Sequence, residues 1–142
     1  MKVVDANVLL HAVNRDSEHH RPAREWLDTA LSRSEAVGFA WSVILAFVRV
    51  STHPVVFPRP LTPEEALATM RAWLARPAAT IVEPTARHLG VLGGLLLSAG
   101  TAGNLVTDAH LAALTIENAA ELISFDSDFG RFTGLDWSRP AL

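Results

Sequence analysis

Four aspartates from three separated stretches carry the chemistry this chain can offer: Asp5, Asp108, Asp126 and Asp128. Each adjoins an apolar run. Lys2-Val-Val leads into Asp5, Glu121-Leu-Ile-Ser leads towards Asp126 and Asp128, and Asp108 opens the helical pattern Ala109-His-Leu-Ala-Ala-Leu. Carboxylates at the carboxyl ends of strands are placed to hold a metal, because open α/β sheets bind ligands along that edge. Buried carboxylates also demand a cation or a hydrogen-bonding partner. An all-oxygen donor set suits Mg²⁺, with Mn²⁺ as a substitute. Such an ion polarises a phosphate and lowers the pKa of a bound water, which is what phosphodiester hydrolysis requires. Asn7 and Thr107 stand where they can orient Asp5 and Asp108 or hold a metal-bound water. The same residues have plainer roles open to them. Asp5 can cap the helix that follows, Asp108 suits the dipole of a first helical turn, and Asp126 with Asp128 can shape a turn.

The elements that must position these acids alternate between strand and helix. Val3 and Val4 form a short buried strand ending at Asp5, and Asn7 to Val13 has a helical apolar face. After a polar loop, Asn14 to His20, Pro22 sits in the first turn of a helix whose apolar positions are Ala23, Trp26, Leu27, Ala30 and Leu31. Val37 to Trp41 reads as a second strand, with Ser42 as the cap of an apolar, buried helix over Val43 to Val50. The prolines between His53 and Pro60 rule out regular structure. Thr62-Pro-Glu-Glu then makes a capping box for a helix to about Ala75. Thr80 to Glu83 is a third strand, a helix spans about Thr85 to Ala99, and Gly100 ends it in a left-handed cap. The Asp108 helix runs to about Asn118, strand four covers Glu121 to Ser124, and a fifth strand is expected near Leu135. This order predicts one α/β domain over residues 1–142 with a parallel sheet covered on both faces.

Composition limits what such a domain does. At 142 residues, 49% of them apolar, the chain can bury a full core. A net charge of −3 supplies no global basic field for nucleic acid, which leaves only local arginine patches. Lys2 is the only lysine, and there is no cysteine, so thiolate sites and disulfides are excluded. The chain opens on a strand pattern rather than a leader, and its most apolar helix is too short for a bilayer. A cytoplasmic location with no membrane partner is expected.

Three motifs then act together. Val-Val-Asp-Ala-Asn-Val-Leu-Leu at 3–10, Asn-Leu-Val-Thr-Asp-Ala-His-Leu-Ala-Ala-Leu at 104–114 and Leu-Ile-Ser-Phe-Asp-Ser-Asp-Phe at 122–129 resemble the PIN-domain family, and more narrowly the VapC-type toxins of bacterial toxin–antitoxin pairs. The resemblance spans nearly the whole chain, including Pro54 to Leu61 and the closing Arg131 to Trp137. It implies a three-layer sandwich with a central parallel sheet of four to five strands flanked by helices. It also implies a Mg²⁺-dependent endoribonuclease held in check by a small antitoxin. By position, Asp5 and Asp108 match the principal metal ligands and Asp126 the further acid, which makes these three the catalytic set, with Asp128 as a helper on the metal. One departure stands out: family members carry a glutamate on the helix after the second strand, and here Ala46 occupies that place.

Other readings compete. A phosphotransferase with an aspartyl nucleophile resembles a pattern with a second carboxylate two residues on and a later lysine; Asn7 and the lone Lys2 do not supply them. A PIN-like module that binds an antitoxin or RNA with weak or no cleavage is the alternative that Ala46 favours. His19-His20 reads as a solvated pair, His110 turns away from Asp108 on a helix, and His11 and His88 lack acidic partners at helical spacing. Trp26, Trp41 and Trp73 read as core or interface. The apolar helices 22–33 and 43–50 with Trp41 predict a homodimer through a symmetric patch.

Overall fold

The computed structural model describes residues 1–141. Its five strands form one parallel sheet: β1 (Lys2–Val4), β2 (Val37–Ala40), β3 (Ala79–Val82), β4 (Glu121–Ile123) and β5 (Trp137–Ser138), in the order β3-β2-β1-β4-β5. Six helices flank it: α1 (Ala6–Val13), α2 (His20–Leu31), α3 (Trp41–Ser51), α4 (Pro63–Leu74), α5 (His88–Ala99) and α6 (Val106–Glu117). From β1 the chain builds outward to β2 and β3, then returns through α5 and α6 to β4 on the other side of β1. With right-handed crossovers, that reversal puts the first four helices and the last two on opposite faces. The packing of α1 on α2 and α3, of α3 on α4, and of α5 on α6 agrees.

The reversal makes the β1/β4 edge the switch point of the sheet, where open α/β folds bind ligands. Val3 pairs with Leu122 and Val4 with Ile123, so the next residues along, Asp5 and Ser124, come side by side. Asp5 N donates to Ile123 O at 2.9 Å and Ser124 N to Ser138 O at 3.0 Å, which extends the ladder past the formal strand ends. Val3, Val4, Phe39, Leu122 and Ile123 are buried, as strands covered on both faces require. Phe47 and Phe129 are also fully buried and complete the core.

Several expected boundaries move. The capping box forms as read: Glu65 N donates to Thr62 Oγ1 and Thr62 N to Glu65 Oε1, both at 3.1 Å. Gly100 takes φ 73°, the left-handed cap that a residue without Cβ adopts at little cost. Ser42, however, does not cap α3. The strand ends at Ala40, Ala40 provides the extended cap residue, and Trp41 is already helical, so Ser42 falls in the first turn. The α5 helix starts at His88 rather than Thr85, because Thr85 Oγ1 accepts from Arg87 N and holds a turn there. A 3-10 turn, Gly103–Leu105, precedes α6, and β5 lies two residues beyond Leu135.

The expected apolar patch is corrected as well. Helix α2 spends its apolar face on the core through Ala23, Trp26, Leu27 and Leu31, leaving a charged outer face of Arg21, Arg24, Glu25 and Asp28. Helix α3 buries Val43, Ile44 and Phe47 but exposes Trp41 at 52% and Leu45 at 63%, one turn apart on the same side. Its burial is therefore one-sided, and the apolar surface left over belongs to α3 alone of the two. No helix among the described residues is long and apolar enough to cross a membrane.

Candidate active site

Ser124 is the hub of the site. It is fully buried, and its Oγ donates to Asp5 Oδ2 at 2.7 Å while accepting from Asn7 Nδ2 and from Asp126 N, both at 3.0 Å. One hydroxyl thus ties together the residue that follows β1, a residue of α1 and the segment after β4. Asn7 uses its other end too, since Phe125 N donates to Asn7 Oδ1 at 3.2 Å. Asn7 therefore orients Asp5 indirectly, through Ser124. Asp5 Oδ1 accepts from Ala6 N at 2.7 Å, so Asp5 does cap α1 while facing the site. The capping and functional readings of Asp5 are compatible.

Asp108 enters from the first turn of α6. Asp5, Ala6, Ser42, Val43, Ala46, Thr107, Asp108 and Leu111 line one small cleft of about 60 Å³. Ala46 and Ser42, one turn apart on α3, form its opposite wall. Asp126 caps the 3-10 turn Ser127–Arg131, its Oδ1 accepting from Asp128 N at 2.9 Å. The turn reading of these two acids is thus also realised. Asp128 stands at the exposed rim, its carboxylate 3.5 Å from the Arg131 guanidinium.

These carboxylates share one electrostatic field. Burial pushes the Asp5 carboxyl above its ordinary value, and the charges of Asp108 and Asp126 push it further, against the pull of the Ser124 and Ala6 hydrogen bonds. Burial likewise raises Asp108, followed by the charge of Asp126, with Arg131 opposing and Asp128 adding. Mutual repulsion of this kind is what a bound cation relieves. The donor set is all oxygen, as Mg²⁺ and Mn²⁺ prefer. Among the described residues no three acidic or histidine side chains already close on a common point at metal-binding distance. Mg²⁺ nevertheless fits, because it binds through one or two carboxylates and fills its other positions with water. Asp5 and Asp108, which line the same cleft, are the pair that would hold it.

Sequence reading gave Ser42 only a capping role and Ser124 only a strand end, and placed neither in the site. The only signal for Ser124 was a small polar residue closing an apolar strand two positions before an aspartate. It also found no partner for His88, because the partners are tertiary. His88 Nδ1 meets the Glu117 carboxylate on α6, and His88 Nε2 meets His110 Nδ1 at 2.9 Å. Glu117 further accepts from Thr85 N at 3.0 Å and Thr85 Oγ1 at 2.6 Å, so this cluster clips the start of α5 to α6. His110 does turn away from Asp108, towards this cluster. A roomier cleft of about 290 Å³ between α1, α2 and α4, lined by Arg15, His20, Arg24 and Trp73 among others, contains none of the four aspartates.

Ser124→Ala strands the Asn7 and Asp126 donors and removes a donor from half-buried Asp5; a loss of about 1–3 kcal/mol is expected, measured by urea unfolding. For Glu117, burial raises the carboxyl, but the hydrogen bonds from Thr85 and His88 outweigh it and bring the group below its ordinary value. A carboxylate with a lowered folded-state pKa adds stability that is present above the unfolded value and lost as pH falls through the folded one. Glu117→Gln should therefore melt below the parent at pH 7, with the gap closing under acid conditions below the ordinary glutamate value. Melting curves across that range check it.

A family model described as PIN domain matches residues 2–135. The chain is 56% identical over 140 residues to "Ribonuclease VapC37" of Mycobacterium tuberculosis, covering 99% of this chain and 97% of that protein. It is 37% identical over 140 residues to "Ribonuclease VapC33" of the same organism, with 99% and 98% covered. Among solved structures it resembles VapBC2 from Rickettsia felis, described as bound to a DNA fragment from its promoter, with a TM-score of 0.71, 17% identity and 97% of each chain covered.

Proposed function

Because this chain belongs to the PIN-domain family, in its VapC branch, we propose that it is a divalent-metal-dependent endoribonuclease and the toxin of a toxin–antitoxin pair, one domain over residues 1–142 acting in the cytoplasm. The observation that carries this reading is the meeting of Asp5 and Asp108 across one cleft at the switch point of the sheet, with Asp126 in their field. Relatives matched over nearly their full length and named ribonucleases support it.

When bound, Mg²⁺ or Mn²⁺ polarises the scissile phosphate and lowers the pKa of a water. The chain's own part is positioning. Ser124 and Ala6 fix both oxygens of Asp5, so that carboxylate needs no rearrangement to hold an ion. Asp108 lines the same cleft from α6, and Asp126 is the further acid, with its backbone N–H anchored to the same Ser124 hydroxyl. Ser42 and Thr107 place hydroxyls on the cleft wall, where each can orient water or a phosphate oxygen. Asp128 contributes charge from the rim. The test is incubation of the purified chain with RNA and Mg²⁺, followed by sequencing of the new ends. Discrete ends that vanish with chelator and return with Mn²⁺ are expected; cleavage indifferent to chelator, or none, overturns the reading.

One observation favours a second reading, a PIN-like module that binds an antitoxin or RNA without cutting. Ala46 leaves the α3 wall of the cleft without a carboxylate. Stable RNA binding without new ends in the same assay would establish it.

A small cognate antitoxin is the protein partner, in keeping with the VapC branch. We also propose a homodimer through the exposed face of α3, where Trp41 and Leu45 form an apolar patch. Light scattering at about 50 μM, a concentration set by ordinary dimer affinities, should give twice the chain mass, and Trp41→Glu should return it to a monomer.

A further inference from the structure

The loop between α1 and α2 is tied down at almost every step, and what it holds is a ring. Asp16 N donates to Asn14 Oδ1 at 3.1 Å, Ser17 N to Asn14 O at 3.1 Å, and His19 N to Ser17 Oγ at 3.0 Å. Ser17 Oγ also meets His11 Nδ1 at 2.7 Å, and His20 Nδ1 meets His11 O at 2.9 Å. Polar loops of this length usually leave their side chains to water. Here they fix His19, which occupies the cap position of α2 but makes no side-chain capping bond.

The His19 imidazole lies nearly flat on Phe125, with ring centroids 4.5 Å apart and planes 21° from parallel. His11 buttresses both rings edge-on, 5.0 Å from His19 and 5.2 Å from Phe125. Phe125 is the residue between Ser124 and Asp126, and Asn7 fixes its amide. The stack therefore stands one residue, about 3.8 Å of Cα spacing, from a proposed catalytic carboxylate. It is not sealed into the core: the His19 side chain keeps 35% of its surface exposed, and Phe125 is only half-buried. A ring pair meant only to fill space has no need of a polar loop that positions its outer member.

We propose that the His19–Phe125 stack is a nucleobase platform, on which a base flanking the scissile phosphate stacks. This rests on the ribonuclease reading. A platform of this kind takes single-stranded RNA, because a base must be unstacked before a side-chain ring can face it. Selectivity then comes from stacking strength, purines over pyrimidines, at one position relative to the cut. Base–aromatic stacking is strong enough that losing one partner weakens binding by about tenfold or more.

The experiment uses short single-stranded RNAs carrying 2-aminopurine at successive positions, titrated in chelator so that nothing is cut. Cleavage of the same RNAs with Mg²⁺ is measured in parallel. The parent should quench the fluorophore at one position only. His19→Ala should lose that quenching, bind about tenfold more weakly and flatten the base preference there. His19→Phe keeps a ring and should retain all three. The platform is overturned if the parent shows no position-specific quenching, if His19→Ala matches the parent, or if His19→Phe is as weak as His19→Ala. Cleavage without quenching removes the platform and leaves the ribonuclease reading standing. Quenching without cleavage keeps the stack as a base-binding surface and removes both the ribonuclease reading and the placement beside a scissile phosphate.

Discussion

Asp108→Asn should abolish RNA cleavage and raise the thermal midpoint of the protein in metal-free buffer. The first effect follows from charge: a neutral amide of the same shape holds a divalent ion far more weakly than a carboxylate does, and that ion would supply several kcal/mol of transition-state stabilisation. A loss of about 4 kcal/mol is about a thousandfold in rate. The second effect follows from what the acids cost one another. Asp108 and Asp5 are both held above the ordinary carboxylate value, first by burial and then by neighbouring aspartates. A group with a raised folded-state pKa binds its proton more tightly folded than unfolded. Its charged form therefore lowers stability, and that cost sets in as pH rises from the ordinary value of 3.8 through the raised one. Above the raised value the cost is fully present, and asparagine removes it.

Asp5→Asn should abolish cleavage equally but gain less stability. Both oxygens of Asp5 accept hydrogen bonds, from Ser124 Oγ and Ala6 N, and an amide nitrogen would meet one of those donors. Among the described residues, Asp108 accepts no side-chain hydrogen bond that would be lost in the same way. Melting curves of the two variants at pH 7 and near pH 4 should separate them, with the Asp108→Asn gain shrinking in acid. A variant that cut RNA at the parental rate would remove its residue from the site.

The parts of this site that sequence made legible are those carried by charge next to an apolar run. Asp5, Asp108, Asp126 and Asp128 announce themselves because ionised groups beside buried strands need a reason to be there. The parallel sheet was legible for a similar reason: strands covered on both faces read as short unbroken apolar runs. Ser124 was not legible, because a serine at a strand end looks the same whether it organises three partners or none. Its role depends on the β1–β4 register, which sequence does not give. The same holds for His88, whose partners Glu117 and His110 sit on another helix, and for His19, whose ring reaches Phe125 across more than a hundred residues. The cap of α3 was misplaced by two residues, at Ser42 instead of Ala40, because Trp41 suits strand and helix alike, and only the sheet edge decides where the strand stops. The expected patch on α2 failed because its apolar stripe, with the periodicity of any amphipathic helix, is used up against the core.

Ala46→Glu should tighten Mn²⁺ binding by about tenfold, equivalent to about 1.4 kcal/mol. Ala46 lies on the wall of the cleft facing Asp5 and Asp108, one turn beyond Ser42, so a longer side chain there enters the space between α3 and the two acids. The cleft is small, about 60 Å³, and an ion held by two carboxylates must otherwise complete its shell with water. A third carboxylate replaces one of those waters with a charged ligand. Without the ion it adds one more negative charge to a field that already raises Asp5 and Asp108, so the variant should melt below the parent in chelator. With saturating Mn²⁺ the order should reverse, since a ligand bound only by the folded state stabilises it in proportion to affinity. The parent, with a poorer wall, should bind a single ion weakly, because a second would have too small a share of the charge. Calorimetric titration of both proteins, paired with melting curves in chelator and in Mn²⁺, decides the matter. Two tight ions in the parent, or a variant destabilised in chelator that gains nothing from Mn²⁺, would show that the missing carboxylate at position 46 does not limit this site.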